Sequence, residues 1–595
     1  MSRVALNSVA GMAANGIYLV SRLAITPFIL IYVPLDQYGL WSVCFIIISY
    51  AGLSGFGVNN AYIKYSAQYY SRGEMAKLNG LVNTGLALMI GLCGLIFISL
   101  YMSVPYFIGK FGVSPELSKL STMLIIGSAA AFLLDMGLGA FKAVLEGIQE
   151  IALVRLIWLA STLVEVVLIV VLLISGIGVL SLLYALAVRY MLAVACYTVL
   201  ALKKIPGLAI GLRHINRNAS RVLFSFGAKV QLLGVIGIFM TSFDRIVTTA
   251  FIGLEATGRF EIGRKFPSLG ASVSAAAFDA FLPAASSSGS WLEKEREPTV
   301  RERLVKYGGL LLCSVLISLI PVAGYLLCLG VKNGFTPGAP LYLLFCILVL
   351  LCIPGLRLGI WLKQLLAEKE YVIGSEVKDL YLNGSRFLNL INGVLLIFLI
   401  GVGDYLIFGW VGQGYSSSVR VMEIMALSVL VNLATGPGTS LVKGMNRTGR
   451  EFEYALVNLV LAIIWVPSGA YFYGMVGAAL GTALSTIAAS VYFVVRTNRA
   501  FMVPMKYYLD KAIKPLVAPL FAGVIVRLFL SFVPLQSRQL VLAALVGAGV
   551  FYLALTLLIL KRVIFTSEEM AWVMGPIGTL LRKLKITGSA GFDNH

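Results

Sequence analysis

The chain reads as an all-α, polytopic membrane protein, and three observations carry that reading. Of its 595 residues, 59% are hydrophobic and only 12% are charged, and the mean hydropathy is +0.91. The apolar residues gather in runs of about 20, the length that crosses a bilayer as a helix. Lys and Arg concentrate in every second connection between those runs. In hydrocarbon each backbone amide must be bonded within its own segment, which a long apolar run achieves as a helix. The two-residue alternation of a membrane barrel is absent.

Sixteen spans follow in order. The first six centre on 8–33, 40–62, 79–103, 119–143, 152–175 and 178–201. The next two lie at 222–252 and 257–284, and a pair at 306–330 and 340–363 sits between charged loops. The last six lie at 383–403 (with 405–412 merged into it), 419–443, 453–472, 475–496, 512–534 and 538–561. An even number of spans with a basic tail at each end places both termini in the cytoplasm of an inner-membrane protein. The first run, Ser8 to Val33, is too long for the core of a cleavable signal. Beyond the last span, 567–585 carries Trp572, Leu580, Leu581 and Leu584 beside Arg582, Lys583 and Lys585, the pattern of an amphipathic helix lying on the inner surface.

The formal charge of +20 does not call for a nucleic-acid partner. Of the 47 Lys and Arg residues, about 33 fall in connections assigned to the cytoplasm, about 6 in the opposite ones and about 8 inside spans, the asymmetry that orients membrane helices. Lys203, Lys204, Arg213, Arg217 and Arg221 form one such cluster; Arg496, Arg499, Lys506, Lys511 and Lys514 form another. The seven cysteines all lie in apolar segments, none in a CxxC pair, and read as small core residues. The two histidines stand in a loop and at the last position. No metal site, cofactor site or His-based catalytic centre is expected.

An internal repeat divides the chain. Leu35-Asp36-Gln37-Tyr38-Gly39-Leu40-Trp41 follows the first span, and Leu254-Glu255-Ala256-Thr257-Gly258-Arg259-Phe260 follows the seventh, at an offset of 219. A second pair, 144–149 and 441–446, shares its glycine at an offset of 297. The offsets differ by 78 residues, which points to an insertion in the second half. The segment from about 290 to 370 fits it, with a charged run at 293–297 before the helical pair 306–363. The expected organisation is a six-helix bundle over 1–205, a second bundle from 206–290 and 376–505, an inserted hairpin with its flanks at 291–375, two added helices at 506–565 and the surface helix and tail at 566–595.

The stretches YLVSRLAITPFILIYVPLDQYGLWSV, Phe243-Asp244-Arg245 through FIGLEATGRFEIGRK, and VKGMNRTGREFEYALVNLVL resemble the polysaccharide-biosynthesis membrane proteins. These are lipid-linked oligosaccharide flippases of the multidrug/oligosaccharidyl-lipid/polysaccharide exporter superfamily. The resemblance covers roughly 1–290 and 375–500. It implies two helical bundles in a V shape and alternating access. The implied cargo is an undecaprenyl-diphosphate-linked sugar carried from the inner to the outer leaflet. Its expected partners are the lipid-linked oligosaccharide, the bilayer, and a glycan polymerase or glycosyltransferases. The resemblance implies the twelve or fourteen spans usual among members, so the inserted hairpin departs from the pattern. The resemblance supplies no catalytic set to carry over, and no enzymatic role is expected.

Candidate site residues therefore come from charge. Ionisable side chains within membrane spans usually face a cavity or a partner. The cations are Arg22, Arg189, Lys229, Arg245, Arg264, Lys265, Arg357 and Arg527; the acids are Asp135, Glu165, Asp244, Glu261 and Asp279. In the eighth span Glu261, Arg264/Lys265, Ser268, Ser272 and Asp279 recur at helical spacing, and the first span repeats the idea with Ser8, Gly11, Asn15, Tyr18, Arg22 and Thr26. Arg22, Lys229, Arg264 and Lys265 are the expected diphosphate ligands, because guanidinium forks and ammonium groups compensate phosphate charge. The competing reading is a local ion pair of Glu261 with Arg264 or Lys265 and a snorkelling Lys229. Asp135, Glu165 and Asp244 are candidates for ion or proton coupling, against a purely structural pairing such as Glu165 with Arg189.

Pro27, Pro267, Pro321, Pro354 and Pro437, with Gly55-Phe56-Gly57, interrupt spans as hinges or fixed kinks. Two other functions compete. A multidrug exporter of the same superfamily would favour an acid-rich cavity, whereas the spans hold eight cations to five acids. A non-transporting scaffold of a glycan-assembly complex would use the inserted hairpin as its docking surface.

Overall fold

The computed structural model describes residues 3–52, 58–110, 113–216, 239–279, 371–445, 449–534 and 537–564, the strand 291–293 and positions 219, 220, 223 and 237. The expected hairpin at 306–363, the surface helix at 567–585, Lys229, Arg357 and the Gly55-Phe56-Gly57 run lie outside the described residues, as does the side chain of Asp279.

Apart from one short strand pair, the regular structure of the described residues is helical. In the first half the order is α1 (Arg3–Tyr32), α2 (Leu35–Gly52), α3 (Val58–Ser71), α4 (Met75–Lys110), α5 (Pro115–Gly137), α6 (Ala140–Gly147), α7 (Ile151–Ile174) and α8 (Leu180–Lys204). The second half begins with α9 (239–251) and α10 (Leu254–Asp279). It resumes with α11 (Ser375–Gly401), α12 (Gly403–Val411), α13 (Ser416–Leu433), α14 (Gly436–Gly444) and α15 (Gly449–Ala500), and ends with α16 (Met505–Tyr508), α17 (Val517–Leu530) and α18 (Arg538–Ile559). Between α10 and α11, strand β1 (Trp291–Glu293) pairs antiparallel with β2 (Tyr371–Ile373), Trp291 opposite Ile373, so the two ends of segment 294–370 meet.

Among the described residues nine helices are long and apolar enough to cross a membrane. The longest, α15, turns back at Gly474, whose φ is 60, so it is two crossings in an antiparallel hairpin. Its arms touch backbone to backbone: a Cβ at Gly477 would lie 1.9 Å from the Gly469 carbonyl oxygen, and one at Gly481 would lie 2.3 Å from that of Trp465. The final helix shows how these surfaces meet lipid. Leu542, Val546, Val550 and Leu553 are exposed along one face of α18, while Val541, Leu545, Ala548 and Tyr552 pack inward on the other, the periodicity of a helix half in protein and half in hydrocarbon.

Several spans differ from their sequence reading for local reasons. The span at 40–62 begins earlier, at Leu35, and α3 runs on past its end to Ser71. The span at 119–143 breaks at Leu138-Gly139, giving α5 and α6. The span at 419–443 breaks at Ala434-Thr435, with Pro437 at the start of α14, where its missing N–H costs nothing. The piece at 405–412 is a separate helix, α12, not a continuation of its predecessor. Pro27 and Pro267 do sit inside α1 and α10.

Both repeated sequence pairs occupy matched places. The second pair forms the last turns of α6 and α14, each of which ends on a glycine, Gly147 and Gly444. The first pair opens α2 and α10, with an acid in each first turn, Asp36 and Glu255, where the helix dipole favours negative charge.

Three cores position the site. One joins the halves: Ile25 and Ile29 of α1, Leu40 and Val43 of α2 and Leu182 of α8 pack in one cluster with Leu254 and Ile262 of α10, Ile407 of α12 and Met422 of α13. A second lies within the first half, among α3, α4, α6, α7 and α8. A third lies within the second half, around Tyr381, Leu441, Phe501 and Tyr508. The contacts between halves thus gather where α1 hands over to α2 and α9 to α10.

The connection after α8 is fastened to α4 by side chains that imitate a strand edge. Asn79 donates to the Gly207 carbonyl (2.9 Å) and accepts from the Ala209 N–H (3.1 Å). One turn on, Asn83 donates to the Ala209 carbonyl and accepts from the Gly211 N–H, both at 2.8 Å. Thr84 accepts from the Asn216 N–H at 2.8 Å. Two amides spaced i, i+4 face one way on a helix, and here they satisfy four backbone groups of the extended chain.

Candidate functional site

The charged side chains of the spans collect into two clusters near the junction of the halves. In the first half Glu165 of α7 is 1% exposed, and its Oε2 accepts from Arg22 of α1 at 2.6 Å and from Arg189 of α8 at 3.2 Å. Aromatic faces surround the pair. Arg189 lies 5.4 Å from the Tyr190 ring centre, 5.8 Å from Trp158 and 6.0 Å from Tyr18, and Arg22 lies 5.2 Å from Tyr18, all within cation–π range. Tyr18 stands one turn before Arg22, and Trp158 two turns before Glu165, so the same helix faces carry charge and ring.

In the second half Asp244 of α9 receives Arg264 of α10 on both oxygens, at 2.9 and 2.8 Å. The neighbouring Arg245 reaches Glu261 at 3.4 Å. This corrects the local pairing considered for α10: Glu261 turns to Arg245 and Arg264 to Asp244, so the bonds run between helices. Such pairing is what low dielectric demands, since an unpaired ion there is far more costly than a paired one.

Lys265 links the halves. Its Nζ donates to Thr26 Oγ1 of α1 and lies 5.6 Å from the Tyr38 ring centre of α2. Beside it the Trp410 indole of α12 donates to the Leu23 carbonyl of α1 at 3.0 Å. The polar stripes of α1 and α10 therefore meet through Thr26 and Lys265.

Of the sequence-derived candidates, the structure brings Arg22, Glu165, Asp244, Arg264 and Lys265 to this region, with Arg189, Arg245 and Glu261. Asp135 on α5 lies within electrostatic reach of Arg189 and Lys142. Arg527 is elsewhere: it pairs with Asp404 on α12, where both side chains are about two-fifths exposed. Sequence reading missed the ring cage of Trp158 and Tyr190, although the adjacency of Tyr190 to Arg189 was a signal for it. A cavity of about 590 Å³ lined by Lys64, Gln68, Tyr70 and Gln149 opens beside the ends of α3 and α6 and shares no residue with the charged clusters. Among the described residues no group of three or more His, Cys, Asp or Glu is placed to hold a metal ion.

Arranged in this way, the chain has the shape of known transporters. Its fold is similar to the structure described as "Lipid II flippase MurJ, inward closed conformation", at 14% identity and a TM-score of 0.61, over 94% of this chain and 100% of that one. It is also similar to an inward-facing multidrug resistance MATE family transporter of the MOP superfamily, at 13% identity and a TM-score of 0.52, over 84% of this chain and 98% of that one. At such identities the likeness is one of fold. No curated protein matches the sequence. The family described as polysaccharide biosynthesis protein matches residues 3–288. That match spans just under half of the chain, and over most of its length the chain has the fold of the two structures it resembles.

Proposed function

We propose that the chain flips a polyprenyl-diphosphate-linked oligosaccharide from the inner to the outer leaflet by alternating access, for surface polysaccharide synthesis. The observation that carries this reading is the charge balance of the two clusters. Five cations (Arg22, Arg189, Arg245, Arg264 and Lys265) stand with three carboxylates (Glu165, Asp244 and Glu261), leaving an excess of two positive charges where the halves meet. A diphosphate headgroup carries the complementary charge and needs such compensation on leaving water. Arg22, Arg264 and Lys265 are its proposed ligands, with Lys229 as a fourth. Asp135, Glu165 and Asp244 are the proposed coupling carboxylates.

In this reading the basic connections lie in the cytoplasm of an inner-membrane protein, with both termini there. The junction of α1 with α2 and α9 with α10 then faces outward, closed. The two six-helix halves are 1–205 and 206–290 with 376–505; the segment 291–375 is an insertion, 506–565 two added spans and 566–595 a surface helix and tail. Glycan polymerase and glycosyltransferases are the expected partners.

The test is a leaflet-translocation assay in proteoliposomes with a fluorescent undecaprenyl-diphosphate oligosaccharide. Arg22→Ala and Arg264→Ala, at normal membrane levels, are expected to abolish translocation. Full activity in both removes the reading.

A further inference from the structure

We propose that Arg189 is a positioning residue for anion capture: it keeps Glu165 neutralised, and so frees Arg22 to engage a diphosphate. The inference rests on the transport reading above, and it concerns the three-residue cluster on α1, α7 and α8.

The geometry is one carboxylate shared by two guanidinium groups. Both bonds fall on the same oxygen, Oε2 of Glu165, from Arg22 at 2.6 Å and Arg189 at 3.2 Å. The two donors are held very differently. Arg189 has a 10% exposed side chain enclosed by the rings of Tyr18, Trp158 and Tyr190. Arg22 is 23% exposed, touches one of those rings, and has a buried Nε with no hydrogen-bond partner. It therefore keeps a donor in reserve on the edge of its fork, where bidentate phosphate recognition needs one. The other cluster is built otherwise, since Asp244 gives both oxygens to Arg264.

Suppose Arg22 turns to an entering anion. Without Arg189, Glu165 would be left as a bare charge in a dry interior, and the bond to Glu165 would hold Arg22 back. With Arg189 fixed in its ring cage, the carboxylate retains a partner and Arg22 exchanges one anionic acceptor for another. Apparent affinity falls by the fraction of protein in which Arg22 is parked. Arg189 raises the free fraction, and Glu165 lowers it.

The experiment is a double-mutant cycle on the full-length chain in nanodiscs. It reads the dissociation constants of undecaprenyl diphosphate and of inorganic pyrophosphate, the second probe separating diphosphate recognition from partition of the lipid tail. Glu165→Gln is expected to tighten binding at least about fivefold, the lower range of coupling between linked equilibria, and Arg189→Ala to weaken it by a similar factor. The decisive result is that Arg189→Ala has no effect once Glu165→Gln is present. Additive electrostatics would weaken binding equally in both backgrounds, and that outcome overturns the inference. Should Arg189→Ala fail to fold, a second cycle serves: the gain from Glu165→Gln must vanish when Arg22→Ala is combined with it, and a persisting gain overturns the proposal. Wild-type protein that binds neither probe removes the transport reading and this inference together. Wild-type binding with either cycle additive removes the inference alone.

Discussion

Gly39 and Gly258 lie against each other's helix starts across the junction of the two halves. A Cβ at Gly39 would stand 1.9 Å from the Leu254 carbonyl oxygen, and a Cβ at Gly258 would stand 2.6 Å from that of Leu35. The relation is reciprocal: each glycine meets the leucine that begins the other copy of the sequence repeat. Neither position has room for a methyl group, so both copies keep glycine at the fifth residue, where the helices cross backbone to backbone.

Gly39→Ala and Gly258→Ala are therefore expected to hold this end apart. Overpacking of this kind costs about 1–3 kcal/mol, enough to shift a balanced two-state equilibrium by about fivefold or more. In a cysteine-free background, Thr26→Cys should become more accessible to a membrane-impermeant thiol reagent added from outside. Unchanged labelling in both variants would show that the contact does not close the junction.

Trp410→Phe removes the indole donor to the Leu23 carbonyl while keeping an aromatic ring against Phe266. The loss of one neutral hydrogen bond is worth about 1 kcal/mol, so the same labelling readout should move in the same direction by several-fold. It should do so without a fall in membrane levels.

Asp244 and Arg264 form a closed pair, 2% and 19% exposed. Removing one partner of a buried pair costs about 3–5 kcal/mol because a charge is stranded, whereas removing both is far cheaper. Asp244→Ala should lower the thermal midpoint in detergent more than the Asp244→Ala/Arg264→Ala double variant does. An additive double variant would mean that the pair is solvated.

Gly477→Val should prevent closure of the α15 hairpin, since its Cβ alone would meet the Gly469 carbonyl at 1.9 Å. Loss of folded protein by size-exclusion fluorescence is expected. Gly91→Val, on the other hand, enters open space on α4 and serves as the tolerated control.

How much of this was legible beforehand follows from what each feature depends on. The class came from run length and charge asymmetry, which depend on the bilayer and need no tertiary information. The repeat was visible because Leu-acid-x-x-Gly is contiguous in each copy: the acid meets a local need at a helix start, and the glycine marks the backbone crossing of the two copies. The break at Ala434-Thr435 was signalled by Pro437, whereas the one at Leu138-Gly139 has no such marker: both its sides remain apolar, and hydropathy does not register a change of direction. For the charged residues, periodicity marked Arg22, Glu261, Arg264 and Lys265 as one face each of α1 and α10. It could not assign partners: i, i+3 spacing offered Glu261 to Arg264, while the fold gives Arg264 to Asp244, twenty residues away. The aromatic cage around Arg189 draws on three helices, and no single segment carries its pattern.

The strap from Asn79, Asn83 and Thr84 to residues 207–216 has a consequence for biosynthesis. Every partner in those bonds precedes residue 217, so the leading half can tie off its own trailing end while the ribosome is still making α9. A bundle sealed in this way enters the bilayer as a finished neighbour, against which the later helices assemble.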